Sequence, residues 1–424
     1  MAAAIMRDYR GQHEVTIGGK AVSGGACEIH LDDAFLLVKG HRVHRIAYEE
    51  IESVRQSGWT VELGLHPEGR IVLSGLDGAV VRPLFLHLSR LRGTRWAELL
   101  RFVEGDVLDE IECKFALDGG REGEALVRLY PAALVVLPFG GEPFQLGLHE
   151  TDPIQLAGYR LVLGHLRTAT TLFGGEPGSL TRFHGSIVRA RQGIEDETAG
   201  LLTELFPALE FAQLDRLTAL LLRGKAASKR DIDAAVPWLW EKIEDVVRKG
   251  AKMAESYAYL RKRAGDRLWF GLRRLTELEK LDEVESSGTE EADDDGEPEP
   301  ETKPDFLFWF MAGIPAAGSH FLAVEIVAGT TGYATYVYRA LPSSGGEESF
   351  GATAQLVSRT LIALNFHREP LYASEKEIET GEFAEYKLAL RKLDYLRTAR
   401  SLFVGRAIHT AAWESSVEKL LSEK

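Results

Sequence analysis

The chain has 424 residues, which is more than one compact core usually organises and predicts two to four domains. Hydrophobic residues make up 45% and charged residues 27%, so the composition is that of a globular protein and excludes a wholly disordered chain. The formal net charge is −14, but residues 284–305 alone carry 10 acidic and 1 basic side chains. The other segments are nearly neutral and offer no large basic field, so the sequence predicts no nucleic-acid partner.

Cysteines and apolar runs indicate the compartment. Cys27 and Cys113 are the only cysteines, which excludes a disulfide framework and favours a reducing cytoplasm. The longest apolar run, 306–318, is shorter than the ~20 residues of a membrane helix and contains Pro315. The first residues are apolar only briefly, unlike a secretory signal. We therefore expect a cytoplasmic protein without a membrane span.

An internal repeat dominates the first half of the chain. Residues 24–40 (GGACEIHLDDAFLLVKG) and 123–139 (GEALVRLYPAALVVLPF) share one pattern of apolar and glycine positions. The correspondence continues through three glycine pairs: Gly58 with Gly158, Gly64 with Gly164, and Gly75 with Gly175. Two similar modules are therefore expected, at residues 10–104 and 105–195.

Each copy has the periodicity of short strands followed by one helix. Apolar residues alternate with polar ones in two matching series, which predicts strands with one buried face: Trp59, Val61, Leu63 and Leu65 in the first copy, and Tyr159, Leu161 and Leu163 in the second. Glycine-rich segments between the strands indicate hairpin turns. A helical stretch closes each copy, and Thr94 is the predicted N-cap in the first.

This order of antiparallel strands and a closing helix resembles the pleckstrin-homology-like fold, including its GRAM relatives. The segment RIAYEEIESV at residues 45–54 is similar to the bridge between two strands in those domains. The resemblance implies binding and scaffolding modules more than enzymes. The lipid-binding members need basic residues clustered around the first hairpin, and Lys114, Arg121 and Arg128 do not follow that pattern. Membrane binding is therefore not expected.

Residues 196–283 have helical periodicity and are expected to form a helical arm or hairpin. Gly224 is the predicted C-cap of one helix, Ser228 the N-cap of the next, and Pro237 a kink or a new start. From Ala251 onward one long helix is predicted, with an apolar stripe through which the arm could form a homodimer. The arginines and aromatics at 261–274 could instead form a nucleic-acid face, but the balanced charge favours a solvated helix surface.

Residues 284–305 are expected to be an acidic, disordered linker, because like charges and prolines without apolar residues cannot bury a core. The same segment could alternatively attract a basic partner. After it, residues 306–424 predict a small α+β domain, with strands up to about residue 341 followed by helices. The overall fold class is thus α+β and multidomain, with two modules built as antiparallel β-barrels or sandwiches.

Polar residues lie among apolar ones in this last domain and are the candidate ligand-binding residues. They are Arg339, His367, Arg368, Glu369, Tyr372, Arg406 and His409. Packed together, they would line a polar pocket with arginines for an anion and histidines for proton transfer. The competing interpretation is a structural network of ion pairs and hydrogen bonds, which favours no ligand.

The sequence contains no recognised catalytic or metal-binding motif. Cys27-x-x-His30 and His41-x-x-His44 superficially suggest a metal site, but residues i and i+3 of a strand point to opposite faces. No phosphate-binding glycine motif, nucleophile elbow or zinc-protease motif occurs. The sequence therefore predicts no catalytic residue, metal or cofactor.

We interpret the chain as a non-catalytic cytoplasmic scaffold or adaptor that binds protein partners through its modules and its last domain. One alternative is a sensor of, or an enzyme acting on, a small anionic ligand at the C-terminal polar residues. The other alternative is an acidic chaperone for a basic partner.

Overall fold

The computed structural model describes residues 8–100, 105–165, 168–174, 178–249, 251–275, 306–316, 319–327, 334–342, 346–381 and 383–422. The chain forms two compact units, Met1–Arg191 and Gln192–Lys424. The predicted acidic linker, 284–305, lies outside the described residues.

The first unit begins with a seven-stranded antiparallel sheet in the order β4-β3-β2-β1-β7-β6-β5. Its strands are β1 Asp8–Ile17, β2 Lys20–Leu31, β3 Phe35–Lys39, β4 Val43–Ala47, β5 Ile51–Ser57, β6 Thr60–Leu65 and β7 Gly69–Ser74. A 3-10 turn, Tyr48–Glu50, joins β4 to β5, and helix α1, Gly78–Leu99, follows β7. Alternate residues of the strands are buried, for example Val61 and Leu63 of β6, and form the core of this module.

The second module repeats this arrangement, with the order β11-β10-β9-β8-β14-β13-β12. Its strands are β8 Asp109–Leu117, β9 Arg121–Leu129, β10 Ala133–Pro138, β11 Phe144–Gly147, β12 Thr151–Ala157, β13 Arg160–His165 and β14 Thr168–Phe173. A 3-10 turn, Leu148–Glu150, stands where the first module has its own, and helix α2, Ser179–Leu205, follows β14. The predicted repeat and the α+β fold class are thus confirmed by two curled sheets of identical strand order.

Two local predictions in the modules are wrong. Trp59 and Tyr159 do not face the core but are 69% and 72% exposed, because each lies in the tight turn after a glycine of positive φ and the strand starts one residue later. The first helix begins at Gly78 rather than near Thr94, since the Asp77 side chain accepts a hydrogen bond from the backbone N–H of Ala79 and caps it there.

The second unit is built on a six-stranded antiparallel sheet in the order β15-β16-β17-β18-β19-β20. Its strands are β15 Ala227–Ser228, β16 Leu268–Arg274, β17 Phe306–Ala316, β18 Ser319–Val327, β19 Ala334–Arg339 and β20 Phe403–Ile408. Its helices after α2 are α3 Phe211–Leu221, α4 Lys229–Ala235, α5 Leu239–Lys249, α6 Ala251–Ala264, α7 Gly346–Ala363, α8 Glu369–Tyr372, α9 Glu375–Thr380, α10 Lys387–Lys392, α11 Asp394–Leu402 and α12 Trp413–Ser422. Short 3-10 turns occupy Leu222–Gly224 and Ala384–Tyr386.

The helical arm is not a separate hairpin. The predicted long helix stops at Ala264, because Gly265 takes a φ of +64°, and the chain then enters β16. Strand β16 pairs along its whole length with β17, so residues from the arm and from the last 119 residues share one sheet and one core.

The apolar stripe on which the homodimer prediction rested is buried within the unit. Tyr257, Leu260 and Ala264 pack into the core beneath the sheet, where the Tyr257 ring lies edge-on to Phe310 at 5.1 Å. Dimerisation stays a prediction and would need another surface. The basic residues of this segment are also engaged, since Arg261 pairs with Glu244 at 3.0 Å.

The last strand, β20, replaces part of a predicted helix. Its six residues follow α11 directly and pair with β19, which makes β20 an edge of the sheet. The three preceding strands agree with the prediction. Among the described residues, no helix is long and apolar enough to span a membrane.

Candidate ligand site and module junction

Helix α1 lies between the two modules of the first unit. One side packs on its own module, against the turn Tyr48–Glu50 and strands β5 and β6, and the other side packs on β10 of the second module. Gly93 lies at this contact, where a Cβ would stand 3.4 Å from Leu137 of β10. All six residues of β10 are buried as a result.

Arg92 is the polar centre of this junction. It is 1% exposed, and its guanidinium donates hydrogen bonds to the carbonyls of Ile51 (2.6 Å), Glu52 (2.6 Å) and Gly141 (2.9 Å). The first two carbonyls belong to module 1 and the third to module 2. The guanidinium also lies over the Trp96 ring, 4.1 Å from its centroid. Burial lowers the Arg92 pKa to about 10, so the group stays charged at neutral pH.

Arg191 is the counterpart of Arg92 in the repeat. It extends from α2 and donates to the carbonyls of Leu148 and Thr151, at the 3-10 turn of its own module. In both modules an arginine of the closing helix therefore donates to the first residue of the strand that follows the 3-10 turn, Ile51 or Thr151. Arg92 also donates to a carbonyl of the other module, that of Gly141.

The junction also covers one edge of the first sheet. The turn at Gly140 approaches β5 so closely that a Cβ on Gly140 would lie 2.5 Å from the carbonyl oxygen of Val54. Strand β4 is the opposite edge, and among the described residues no strand pairs with its outer side. Val43, the first residue of β4, is 65% exposed.

The basic residues considered for lipid binding are engaged in the second module. Arg128 donates to the Thr94 hydroxyl of α1 at 3.0 Å and pairs with Glu110. Arg121 donates to the carbonyl of Glu142. Neither side chain belongs to an open basic patch.

The structure brings four of the seven predicted ligand residues together, on one face of the second unit's sheet. Arg406 of β20 lies directly opposite Tyr336 of β19, and its guanidinium donates to the Tyr372 hydroxyl at 3.1 Å. The Tyr336 and Tyr372 rings are stacked with centroids 6.3 Å apart. Arg368 lies over the Tyr336 ring at 5.2 Å, next to Glu369 at the start of α8.

The ionisation of the two tyrosines reflects this arrangement. Burial raises the pKa of Tyr336, and the positive charges of Arg368 and Arg406 oppose that shift. Burial also raises the pKa of Tyr372, with Glu369 adding to the shift and both arginines opposing it. The two phenols are therefore neutral hydrogen-bonding groups at physiological pH.

The other three predicted residues lie elsewhere. His409 is on the opposite face of the sheet, where its Nε2 is 3.1 Å from Glu325 and its ring stacks on Trp413. Arg339 is exposed at the end of β19, and His367 is exposed just before Arg368. The seven residues thus do not line one pocket.

Sequence reasoning missed Glu325, which is 2% exposed. It accepts hydrogen bonds from Thr335 and His409, and Thr335 in turn accepts one from the indole N–H of Trp413 at 2.7 Å. One signal was present in the sequence, since Glu325 is the single charged residue in an otherwise apolar strand. Phe403, which contacts both tyrosines, gave no such signal because its segment was predicted to be helical.

The cysteine and histidine pairs of the first module do not converge on a metal. Cys27 is buried, whereas His30 bonds to Asp8 at 2.7 Å. His44 instead bonds to the Ser23 hydroxyl at 2.6 Å, which also lies 3.2 Å from Nε2 of the buried His13. Within the part of the chain that the structure describes, no group of three or more His, Cys, Asp or Glu residues is arranged to hold a metal ion.

No protein-family model and no curated protein matches the chain. Among solved structures, the chain is similar to one described as "Critical structural role for the PH and C1 domains of the Vav1 exchange factor". The identity is 16% and the TM-score 0.20, over 29% of this chain and 42% of that chain. The match thus spans less than half of either protein. The strand order of the two sheets is itself consistent with pleckstrin-homology-like modules.

Proposed function

We propose that the protein is a non-catalytic cytoplasmic adaptor whose first unit binds an extended segment of a partner protein along strand β4. The observation that supports this proposal is the asymmetry of the first sheet, whose β5 edge meets the second module while its β4 edge has no pairing strand among the described residues. An edge strand with unpaired backbone groups is a template for strand addition.

The register indicates which backbone groups of β4 are available. The N–H of Gly40 bonds to the carbonyl of Arg42, so these two residues form a hydrogen-bonded pair. Non-hydrogen-bonded and hydrogen-bonded pairs then alternate along β3 and β4. Because hydrogen-bonded and non-hydrogen-bonded pairs alternate in an antiparallel ladder, His44 and Ile46 point their N–H groups toward β3. Val43 and Arg45 point theirs outward.

The charge of this edge indicates the partner's chemistry. Arg42 and Arg45 are exposed, and neither forms an ion pair with another described residue. An extended segment that carries acidic side chains would be attracted to this edge and would neutralise it. The partner is therefore proposed to present an acidic strand.

The test compares Val43→Pro with Val43→Ala in the full chain. Proline removes the outward N–H at the first residue of an edge strand, a position that tolerates proline, while alanine removes the side chain and keeps the N–H. The wild-type chain, purified by affinity from its source cells, should bring a stoichiometric protein partner identified by mass spectrometry. Val43→Ala should retain this partner and Val43→Pro should lose it, at equal melting temperatures.

Two outcomes contradict the proposal. A partner that Val43→Pro retains binds elsewhere on the protein, and a preparation without any stoichiometric partner removes the adaptor function. Deleting residues 306–424 is not a suitable test, because it would remove β17, the strand with which β16 pairs along its whole length.

A further inference from the structure

Two arginines of the second unit lie over aromatic rings and form no ion pair with another described residue. The guanidinium of Arg406 lies 4.6 Å from the Tyr372 ring centroid, and that of Arg368 lies 5.2 Å from the Tyr336 ring centroid. The tyrosine rings are themselves stacked on each other, so both cations are mounted on one aromatic platform. Each cation–π contact favours a position of the guanidinium over its ring, so less conformational entropy is lost when a ligand binds there.

Neither arginine forms an ion pair with a carboxylate of the described residues. Arg406 uses one N–H on the Tyr372 hydroxyl, which leaves most of its five donors available. The Nε of Arg368 is buried and has no hydrogen-bond acceptor among the described residues. A buried donor without an acceptor is unfavourable in the folded protein.

Several other arginines of the same unit do pair with a carboxylate. Arg261 pairs with Glu244, Arg263 with Glu418 and Arg274 with Glu204. Arg400 donates to two backbone carbonyls and pairs with Glu375.

Glu369 completes the electrostatics of the platform. Its carboxylate acts on both Tyr336 and Tyr372, so it lies close to the platform without forming an ion pair to either arginine. Two guanidinium groups and Glu369 leave a net positive charge on this face of the sheet; the charge of Glu325 also acts on Tyr336, but this carboxylate lies on the opposite face beside His409. Such a site attracts an anion, and Glu369 weakens that attraction.

We propose that Arg368 and Arg406, mounted on Tyr336 and Tyr372, form a binding site for the oxyanion group of a small molecule, either a phosphate or a carboxylate. Guanidinium groups match both through paired N–H donors. This proposal does not rest on the adaptor function, since it concerns the other unit of the chain.

The test is calorimetric titration of the full chain at constant ionic strength, with inorganic phosphate in one arm and malonate in the other. Arg406→Gln and Arg368→Gln, tested separately, should each lower the affinity for the anion about tenfold or more, the effect of losing one charged hydrogen-bond donor. Glu369→Gln should tighten binding, because it removes a nearby negative charge. Arg216→Gln is the matched control, since Arg216 is an exposed arginine of α3 outside the platform, and it should bind like the wild type.

The two arms distinguish the ligand classes. Binding of phosphate alone assigns a phosphate ester, binding of malonate alone assigns a carboxylate, and binding of both supports a general oxyanion site. The proposal is overturned if neither anion binds at millimolar concentration, or if Arg406→Gln and Arg368→Gln bind as tightly as Arg216→Gln at equal melting temperatures.

Discussion

Replacing Arg92 by methionine should weaken the first unit and separate the folding of its two modules. Methionine fills part of the same space but removes three hydrogen bonds that Arg92 donates to backbone carbonyls. Two of these carbonyls are in module 1, and the third, that of Gly141, is in module 2. The carbonyls would then be buried without their donor.

The magnitude follows from two opposing contributions. Each hydrogen bond from a charged donor contributes about 1.5–3 kcal/mol to stability, so three such bonds contribute about 4.5–9 kcal/mol. Against this, the lowering of the Arg92 pKa from 12.5 to about 10 corresponds to a burial cost of about 3 kcal/mol that methionine does not carry. We therefore expect Arg92→Met to reduce the free energy of unfolding by about 1.5–6 kcal/mol.

Hydrogen exchange read by mass spectrometry on the full chain measures this effect in each module separately. In the wild type, peptides from the core strands of both modules should exchange with similar opening free energies, because α1 belongs to both. Arg92→Met should lower protection in both modules and make their opening free energies unequal. Arg191→Met is the matched control, since the carbonyls of Leu148 and Thr151 that it bonds both belong to module 2, where we expect its main effect. Equal protection of the two modules in Arg92→Met, at wild-type values, would refute this reasoning.

Three further predictions concern buried polar groups. The His44 pKa is lowered, chiefly by burial, so the unfolded chain binds more protons than the folded chain at acidic pH. The free energy of unfolding should therefore fall as the pH drops below about 6.5. His44→Gln should reduce this loss in a series of denaturation curves between about pH 7 and pH 5. Tyr257→Phe removes the hydroxyl that donates to buried Glu244 at 2.9 Å and should cost about 1.5–3 kcal/mol by urea denaturation; an unchanged midpoint would contradict a role for this bond. Glu325→Ala should cost about 2–4 kcal/mol and alter the fluorescence of Trp413, whereas an unaltered spectrum would show that the indole does not depend on this network.

Short-range signals in the sequence were sufficient for much of the fold. The N-cap at Ser228 was predictable because a serine three residues before Asp231 fits a local hydrogen bond, which the structure shows at 3.1 Å. The two modules were predictable because their alternating pattern and their glycine turns occur twice. The boundaries that failed, at Trp59 and Asp77, depend on one-residue details of turn and cap geometry.

Long-range pairing explains what the sequence could not predict. Leu268, Leu272 and Leu275 fit a helical stripe as well as a strand, and only pairing with β17, whose first residue is more than 30 positions away, decides between them. The same holds for β20. The candidate site was partly predictable, since Arg368 and Arg406 lie over the stacked rings of Tyr336 and Tyr372. The split between the two faces of the sheet depends on the register of β19 and β20.

The shared position of α1 makes the duplicated modules non-interchangeable. A chain built from two copies of module 1 would keep both sets of strands, yet it would lack the β10 surface and the Gly141 carbonyl that receive the outer side of α1. A cut near residue 104 would likewise divide one continuous packed layer, although the sequence repeat begins again there. The smallest segment of this unit that we expect to fold by itself therefore contains both modules, twice the length of one sequence repeat.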